Sequence, residues 1–362
     1  MIRVLIAALL LWFTATWSVA VAEIRIPAAR LLEFSQATLA KADADEATAE
    51  ATSYAMLHAS LHGVDSHGIR LLPFYVKSLR TGLAKGKPQI TVKPQRRAAV
   101  LVDAGGGLGH LPTYRAMDEA CALARDCGIG MAGIINSTHF GAAGAYALAA
   151  ANAGFIAMVT CNSGALVVPH GGTRAFHGTS PIAIAAPRDS GDPFLLDMAT
   201  SSIPWNKVLR YRTEGLPLPE GVAIDASGAF TRDPNQARAL APVGGIDFGY
   251  KGAALAGVAD VLGGALMGMR LSHEQDGTAL GDTRVGHFVV AIDPTTFIAQ
   301  AFFNERMATY LDAFAKQPGT MPAGGPEWEK RRDREANGIP LPDGLRAELE
   351  ELARSEGTSL PV

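Results

Sequence analysis

The chain has 362 residues, 48% of them hydrophobic, with 39 glycines and 32 basic residues against 35 acidic ones. That apolar share can build a sizeable core and excludes an intrinsically disordered chain. A net charge of −3 with the signs interspersed, and no basic stripe among aromatics, leaves no footprint for nucleic acid.

Residues 1–22 come first: Arg3, an apolar run over 4–13, then Ala20-Val21-Ala22. This is the layout of a cleavable export signal, too short and interrupted for a stable membrane span. It also reads as an upstream-start extension of a cytoplasmic protein. The three cysteines, Cys121, Cys127 and Cys161, are odd in number and form no spaced framework, which favours the cytoplasm. A cytoplasmic location is expected, with 1–22 set apart from the fold.

Over 26–63, Leu31, Leu32, Phe34 and Leu39, then Ala51, Tyr54, Leu57 and Leu61, recur mostly at three- and four-residue spacing. This predicts two helices, the second capped and acidic at 43–46. A short helix over 69–80 follows Asp65-Ser66-His67-Gly68, and Gly82, Pro88 and Pro94 then break the pattern. Residues 98–102 predict a strand and 112–127 a helix with proline in its first turn. A β-rich centre has strands over 129–135, 155–160, 182–186 and 194–196, with a small-residue helix over 142–153. A longer helix over 252–269, a strand over 287–292 and charged helices from 295 complete the chain. The expected organisation is mixed α/β. A helical part (23–120) is completed by C-terminal helices (294–362), with a β-rich domain (121–293) inserted between them.

Gly105-Gly106-Gly107-Leu108-Gly109-His110 lies between a strand and a helix and resembles a dinucleotide loop. His110 stands where the third glycine belongs, and Met131-Ala132 where an acidic ribose partner belongs, so a tight turn fits better. The sequence has no P-loop, zinc-spaced cysteine pair, H-E-x-x-H or G-x-S-x-G. What remains is a set of polar residues at element ends flanked by small ones: Ser66-His67, His139, Asp197 and Lys251. One such histidine is more often structural, but four groups at element ends point to a site.

Six ordered strings carry a family resemblance: 63–68 (GVDSHG), 138–144 (THFGAAG), 168–172 (VPHGG), 178–182 (GTSPI), 197–201 (DMATS) and 249–252 (GYKG). Together they resemble the malate/L-lactate dehydrogenase family, which includes sulfolactate and ureidoglycolate dehydrogenases and piperideine-2-carboxylate reductase. The resemblance implies a non-Rossmann nicotinamide-binding fold, a homodimer, and NAD or NADP acting on a small 2-hydroxy acid or its 2-oxo acid. It implies proton transfer by Ser66 and His67 with Asp197 as partner, His139 being the other candidate base. His67 is preferred as acid/base. Arg70, Tyr75 and Ser163 are expected on the substrate side. The expected cofactor contacts are His139, Phe140, Gly141, Ala142, Ala143, Asp197, Met198, Ala199, Lys251 and the tail around Pro326.

Relatives often carry an arginine five residues after the motif serine, to hold a carboxylate; here that position is Leu71, preceded by Arg70. The common Gly-Thr-Asn-Pro is also Gly-Thr-Ser-Pro, at 178–181. Two alternatives stand beside hydroxy-acid oxidation: reduction of a cyclic imine, and a non-catalytic exported binding protein.

Overall fold

The computed structural model describes residues 24–275 and 285–361; the segment read as an export signal lies outside them. β1 (Ile24–Ile26) leads into α1 (Ala28–Lys41) and α2 (Glu46–Leu61), which pack together. The Asp45 carboxylate caps α2 by accepting the Thr48 amide at 2.8 Å. A 3₁₀ turn (Ile69–Leu71) leads to α3 (Leu72–Arg80), β2 (Thr91–Arg96), β3 (Ala99–Asp103), α4 (His110–Cys127) and β4 (Ile129–Ser137). Then come α5 (Gly144–Asn152), β5 (Ile156–Cys161), β6 (Ile182–Ala186), β7 (Phe194–Met198) and α6 (Trp205–Glu214). A small ribbon, β8 (Ala223–Ile224) with β9 (Ala239–Leu240), precedes α7 (Gly245–Ala259) and β10 (Val285–Ile292). The chain ends in α8 (Gln300–Ala315), α9 (Gly325–Asn337), β11 (Ile339–Leu341) and α10 (Asp343–Glu356).

Seven strands form one mixed sheet in the order β2-β3-β4-β10-β5-β6-β7. β3 and β4 are parallel, joined through α4, and the other neighbouring pairs are antiparallel. Val285 pairs with Ser137, His287 with Cys161, and Ile182 with both Thr160 and Met198. These registers bring the C-terminal ends of β3, β4, β5 and β7 to one edge of the sheet. The loops that follow those ends share that rim, and the candidate site is built there.

One apolar cluster joins Val102, Ile134, Val159 and Val289 of the sheet to Ala116 and Ala120 of α4 and Ala147 and Ala151 of α5. Alanine on the buried helix faces lets the helices approach the strands closely. A second cluster joins Leu31, Leu39 and Leu72 near the start of the chain to Leu345 and Leu349 of α10. β1 pairs antiparallel with β11, Ile24 opposite Leu341, so both ends of the described chain serve one layer.

Three elements depart from expectation. Pro94 lies within β2 rather than breaking the chain; β2 is an edge strand, where a missing N–H costs no interior ladder bond. With β3 it joins the central sheet ahead of residue 121. α7 begins at Gly245, well before 252, and passes into a π-helical turn at Asp260–Ala265. The glycines that suggested a turn serve close packing instead: a Cβ on Gly252 would lie 2.4 Å from the Val243 nitrogen. No helix among the described residues is long and apolar enough to cross a membrane.

Leu349 is fully buried where α10 meets the N-terminal helices. Leu349→Ala is expected to cost about 2–5 kcal/mol and lower the urea midpoint. An unchanged midpoint would mean that α10 does not complete that cluster.

Candidate active site

Ser66 and His67 stand on the loop between α2 and the 3₁₀ turn. The neck of that loop is tight: the Ile69 amide donates to Ser60 Oγ at 2.9 Å, and a Cβ on Gly68 would lie 2.3 Å from that oxygen. Only glycine fits at 68 without displacing Ser60. Ser66 Oγ and His67 Nδ1 are 2.8 Å apart, so the hydroxyl fixes the imidazole.

The second imidazole comes from β4. Its pairing with β10 slips between Val285 and His287, and Asn136 adopts φ 53° while its amide donates to Asp103 Oδ1 at 3.0 Å. This bulge redirects residues 137–143 along the rim. Tyr75 Oη lies 2.9 Å from His139 Nδ1, and the Gly141 amide donates to the same nitrogen at 3.4 Å. A backbone N–H can only donate, so the network assigns Nδ1 as acceptor and places the proton on Nε2. The His67 and His139 rings face each other at 5.6 Å between centroids and 22° between planes.

Two further histidines lie beneath. His110 Nδ1 is 3.2 Å from Thr52 Oγ1, and the His110 ring meets Tyr75 edge-on at 4.7 Å. His287 stacks on Phe140 at 4.5 Å, and its Nε2 lies 2.7 Å from Ser137 Oγ. Desolvation lowers the pKa of His67 to about 4, and those of His110 and His287 to about 3. His139 is pushed well below the usual range, by burial first and then by His67, His110 and His287.

Asp197, near the end of β7, accepts the Gly144 amide at the head of α5 at 2.9 Å. A Cβ on Gly144 would lie 2.7 Å from the carboxylate, so glycine permits the approach. Desolvation raises the Asp197 pKa to about 6, against the opposing pull of the Gly144 bond. Among the described residues Asp197 makes no bond to His67; its partner is the helix start. Met198 and Ala199 follow it half-buried, while Phe140, Ala142 and Ala143 are buried and Gly141 adopts φ 75°.

Ser163 follows β5 on the same rim, its Oγ accepting the Ser180 amide at 3.4 Å. Pro326 lies exposed in the first turn of α9, whose start is tied to β7 by Leu195 N–H to the Ala323 carbonyl at 3.4 Å. Lys251 lies in the second turn of α7 rather than ahead of the helix. It is exposed, and its ammonium sits over Phe248 and Tyr250 at 5.4 and 5.9 Å. Arg70 is exposed and makes no hydrogen bond or ion pair among the described residues, while Leu71 packs into the N-terminal cluster. The rim thus gathers Ser66, His67, Tyr75 and His139, with Asp197 and Ser163 at neighbouring strand ends.

The glycine-rich run is a packed turn. Gly105 and Gly106 have φ 60° and 80°, the Lys85 amide donates to the Gly106 carbonyl at 2.8 Å, and a Cβ on Gly107 would lie 2.6 Å from Pro88. Sequence treats His110 only as the residue that spoils a dinucleotide motif; its place at the head of α4 was the available signal. Arg334, which pairs with Asp65 across 269 positions, gave none.

The malate/L-lactate dehydrogenase family matches residues 26–350. The chain is 35% identical over 351 residues to the malate dehydrogenase of Pyrococcus horikoshii, covering 92% of this chain and 96% of that one. The solved structure of that archaeal enzyme superposes with a TM-score of 0.84 at 33% identity, over 93% of this chain and 97% of that one. The crystal structure of delta1-piperideine-2-carboxylate reductase from Pseudomonas syringae pvar. tomato superposes with a TM-score of 0.82 at 29% identity, covering 91% and 100%. With the matched span and the shared fold, the chain belongs to the malate/L-lactate dehydrogenase family.

Proposed function

We propose that the protein interconverts a small 2-hydroxy acid and its 2-oxo acid with bound NAD or NADP, His67 moving the proton. The observation that carries this is the facing pair of desolvated imidazoles, each held by a different partner on Nδ1. Among the described residues neither Nε2 makes a hydrogen bond, which leaves two nitrogens for one substrate oxygen. His139 would donate Nε2–H to that oxygen. His67, with Nδ1–H donated to Ser66, would take the hydroxyl proton on Nε2 during oxidation and return it during reduction.

The rim suits a dinucleotide on one observation. Asp197 is held by a single amide, and its other oxygen remains an acceptor for a ribose hydroxyl beside the small residues 141–144. NAD or NADP, when bound, supplies or accepts the hydride. Among the described residues the central sheet is mostly antiparallel, which supports a non-Rossmann mode of binding. Arg70, exposed and without an ion pair among the described residues, would offer its guanidinium to the substrate carboxylate. A homodimer is expected from the family. Cyclic-imine reduction stays as the second reading because a reductase of that class shares the fold.

The direct test is oxidation of NADH or NADPH, followed by absorbance, against a panel of 2-oxo acids and cyclic imines. Turnover of an oxo acid is expected, and turnover of imines alone would refute the hydroxy-acid proposal. His67→Ala is expected to lower kcat by about 10²–10⁴ with cofactor affinity retained. Near-normal turnover of that variant would move the proton to His139.

Because burial holds the His67 pKa near 4, the neutral base persists far below the ordinary imidazole range. The acid limb of kcat/KM for oxidation should therefore lie near pH 4; a limb at 6.5 would contradict a desolvated His67.

Asp197 carries the opposite sign. Its folded pKa of about 6 exceeds the ordinary 3.8, so the charged form is disfavoured in the fold. The contribution of Asp197 to stability is therefore greatest below about pH 4, falls as pH rises to about 6, and then levels. Asp197→Asn keeps an acceptor for the Gly144 amide and removes the charge. It should raise the thermal midpoint at pH 7, lose that advantage near pH 4, and weaken cofactor binding. Equal midpoints at pH 7 would contradict a destabilising Asp197 charge.

A further inference from the structure

Helix α9 ends in a side chain that the chemistry above leaves unused. Arg334 is 6% exposed. One guanidinium nitrogen, Nη1, donates to the Ser60 carbonyl and to Asp65 Oδ1, while Nη2 donates to Asp65 Oδ2 at 3.0 Å. The pair is bidentate, the geometry in which a planar guanidinium fixes both the position and the orientation of a carboxylate. Asp65 immediately precedes Ser66 and His67.

Ser60 is held at two points. Its carbonyl receives Arg334, and its hydroxyl receives the Ile69 amide at 2.9 Å. Gly68, pressed against Ser60, closes the same neck. Residues 60–69 therefore form a loop whose neck and shoulder both rest on one buried cation. On its other side Asn206 of α6 reaches the Ser66 carbonyl at 3.5 Å.

The opposite end of α9 is tied to the strand that carries Asp197. A Cβ on Gly324 would lie 2.9 Å from the Leu195 carbonyl, and Trp328 Nε1 donates to the Pro193 carbonyl at 3.1 Å. Arg332, two residues before Arg334, grips Asp192 just ahead of β7 at 2.8 and 3.0 Å. Helix α9 is thus fastened along the first half of β7 and, in its last turn, to the Ser66–His67 loop, so Arg334 projects from a firmly held helix.

We propose that Arg334 is a positioning residue: through Asp65 and Ser60 it holds the Ser66–His67 loop in place, so that His67 faces the reacting oxygen. This rests on the role given to His67 above. Arg334 touches neither substrate nor cofactor and acts through Asp65 and Ser60. Lysine keeps the charge but cannot bridge both Asp65 oxygens and the Ser60 carbonyl in one plane, so the geometry is what the test must isolate.

Arg334→Lys and Arg334→Gln would be compared with the parent by three measurements: reduced-nicotinamide binding by fluorescence, kcat per bound nicotinamide, and backbone hydrogen exchange over residues 64–71. The expected result is a near-parental dissociation constant, a kcat per site about tenfold lower in Lys and lower still in Gln, and faster exchange over 64–71 with residues 129–137 unchanged. A merely structural tie would reduce the folded fraction without changing kcat per occupied site. Should Gln prevent folding, the Lys variant and Asp65→Asn carry the same comparison. Parental exchange over 64–71, or parental kcat per site with faster exchange, would overturn the proposal. If the parent turns over no substrate while the variants exchange faster, the clamp on the loop stands and the hydroxy-acid reading fails, so the two are separable.

Discussion

The pairing of β10 with both β4 and β5 is the interaction on which the rest of the molecule depends. Without it, β2-β3-β4 and β5-β6-β7 would be two three-stranded sheets, each with an open edge. Six of the eight β10 residues are buried, and their ladders with the two neighbours set the registers that align the strand ends. The start of β10 is pressed against the π-helical turn after α7: a Cβ on Gly286 would lie 1.9 Å from the Gly263 carbonyl. The same strand places His287 under Phe140 and beside Ser137, directly beneath the loop that carries His139. The joint of the sheet is thus also the floor of the candidate site, and a change in β10 register would displace that rim along with the core.

That floor sets the electrostatics. His67, His110, His139 and His287 all have their charged forms disfavoured by burial, and His139 feels each of the other three. One proton on this group opposes the next. Across the rim Asp197 is pushed towards its protonated form. Every titratable group on the rim with a resolved shift is thus biased towards neutrality. In such surroundings a charge interacts strongly with oriented dipoles. The His139 Nε2–H, its ring fixed by the Gly141 amide and Tyr75, is such a dipole, already aligned by the fold.

The fold was legible where periodicity and breakers agreed. β3 to β7 and α4 fall within a few residues of their expected places, because short apolar runs there are bounded by Gly, Pro or Asn. β2 was hidden by Pro94, since an edge position cannot be recognised before the sheet is known. The start of α7 was hidden by glycines that a helix normally avoids; here they admit Val243, Pro242 and His170 at close range. At the site, the strings around His67, His139 and Asp197 were visible because small neighbours at element ends mark places where chains converge. Their partners were less visible. The bonds from Tyr75 to His139 and from Arg334 to Asp65 join residues far apart in the chain, and no local spacing encodes them.

The turn that carries Arg70 and Leu71 sends the two side chains in different directions. Residues 69–71 form a 3₁₀ turn, in which successive side chains are about a third of a turn apart. Leu71 is directed into the N-terminal apolar cluster, so Arg70, one position earlier, is carried away from that direction and into solvent. Moving a cation by one residue on such a turn does not restore it to the same place; it changes which substrate shapes can reach it. The groups assigned to the proton, Ser66, His67, Tyr75 and His139, keep their mutual contacts independently of this change. The imidazole pair and the direction of Arg70 are therefore set by separate parts of the fold. The first is fixed by the rim of the sheet and the loop after α2, and the second by the face of a three-residue turn.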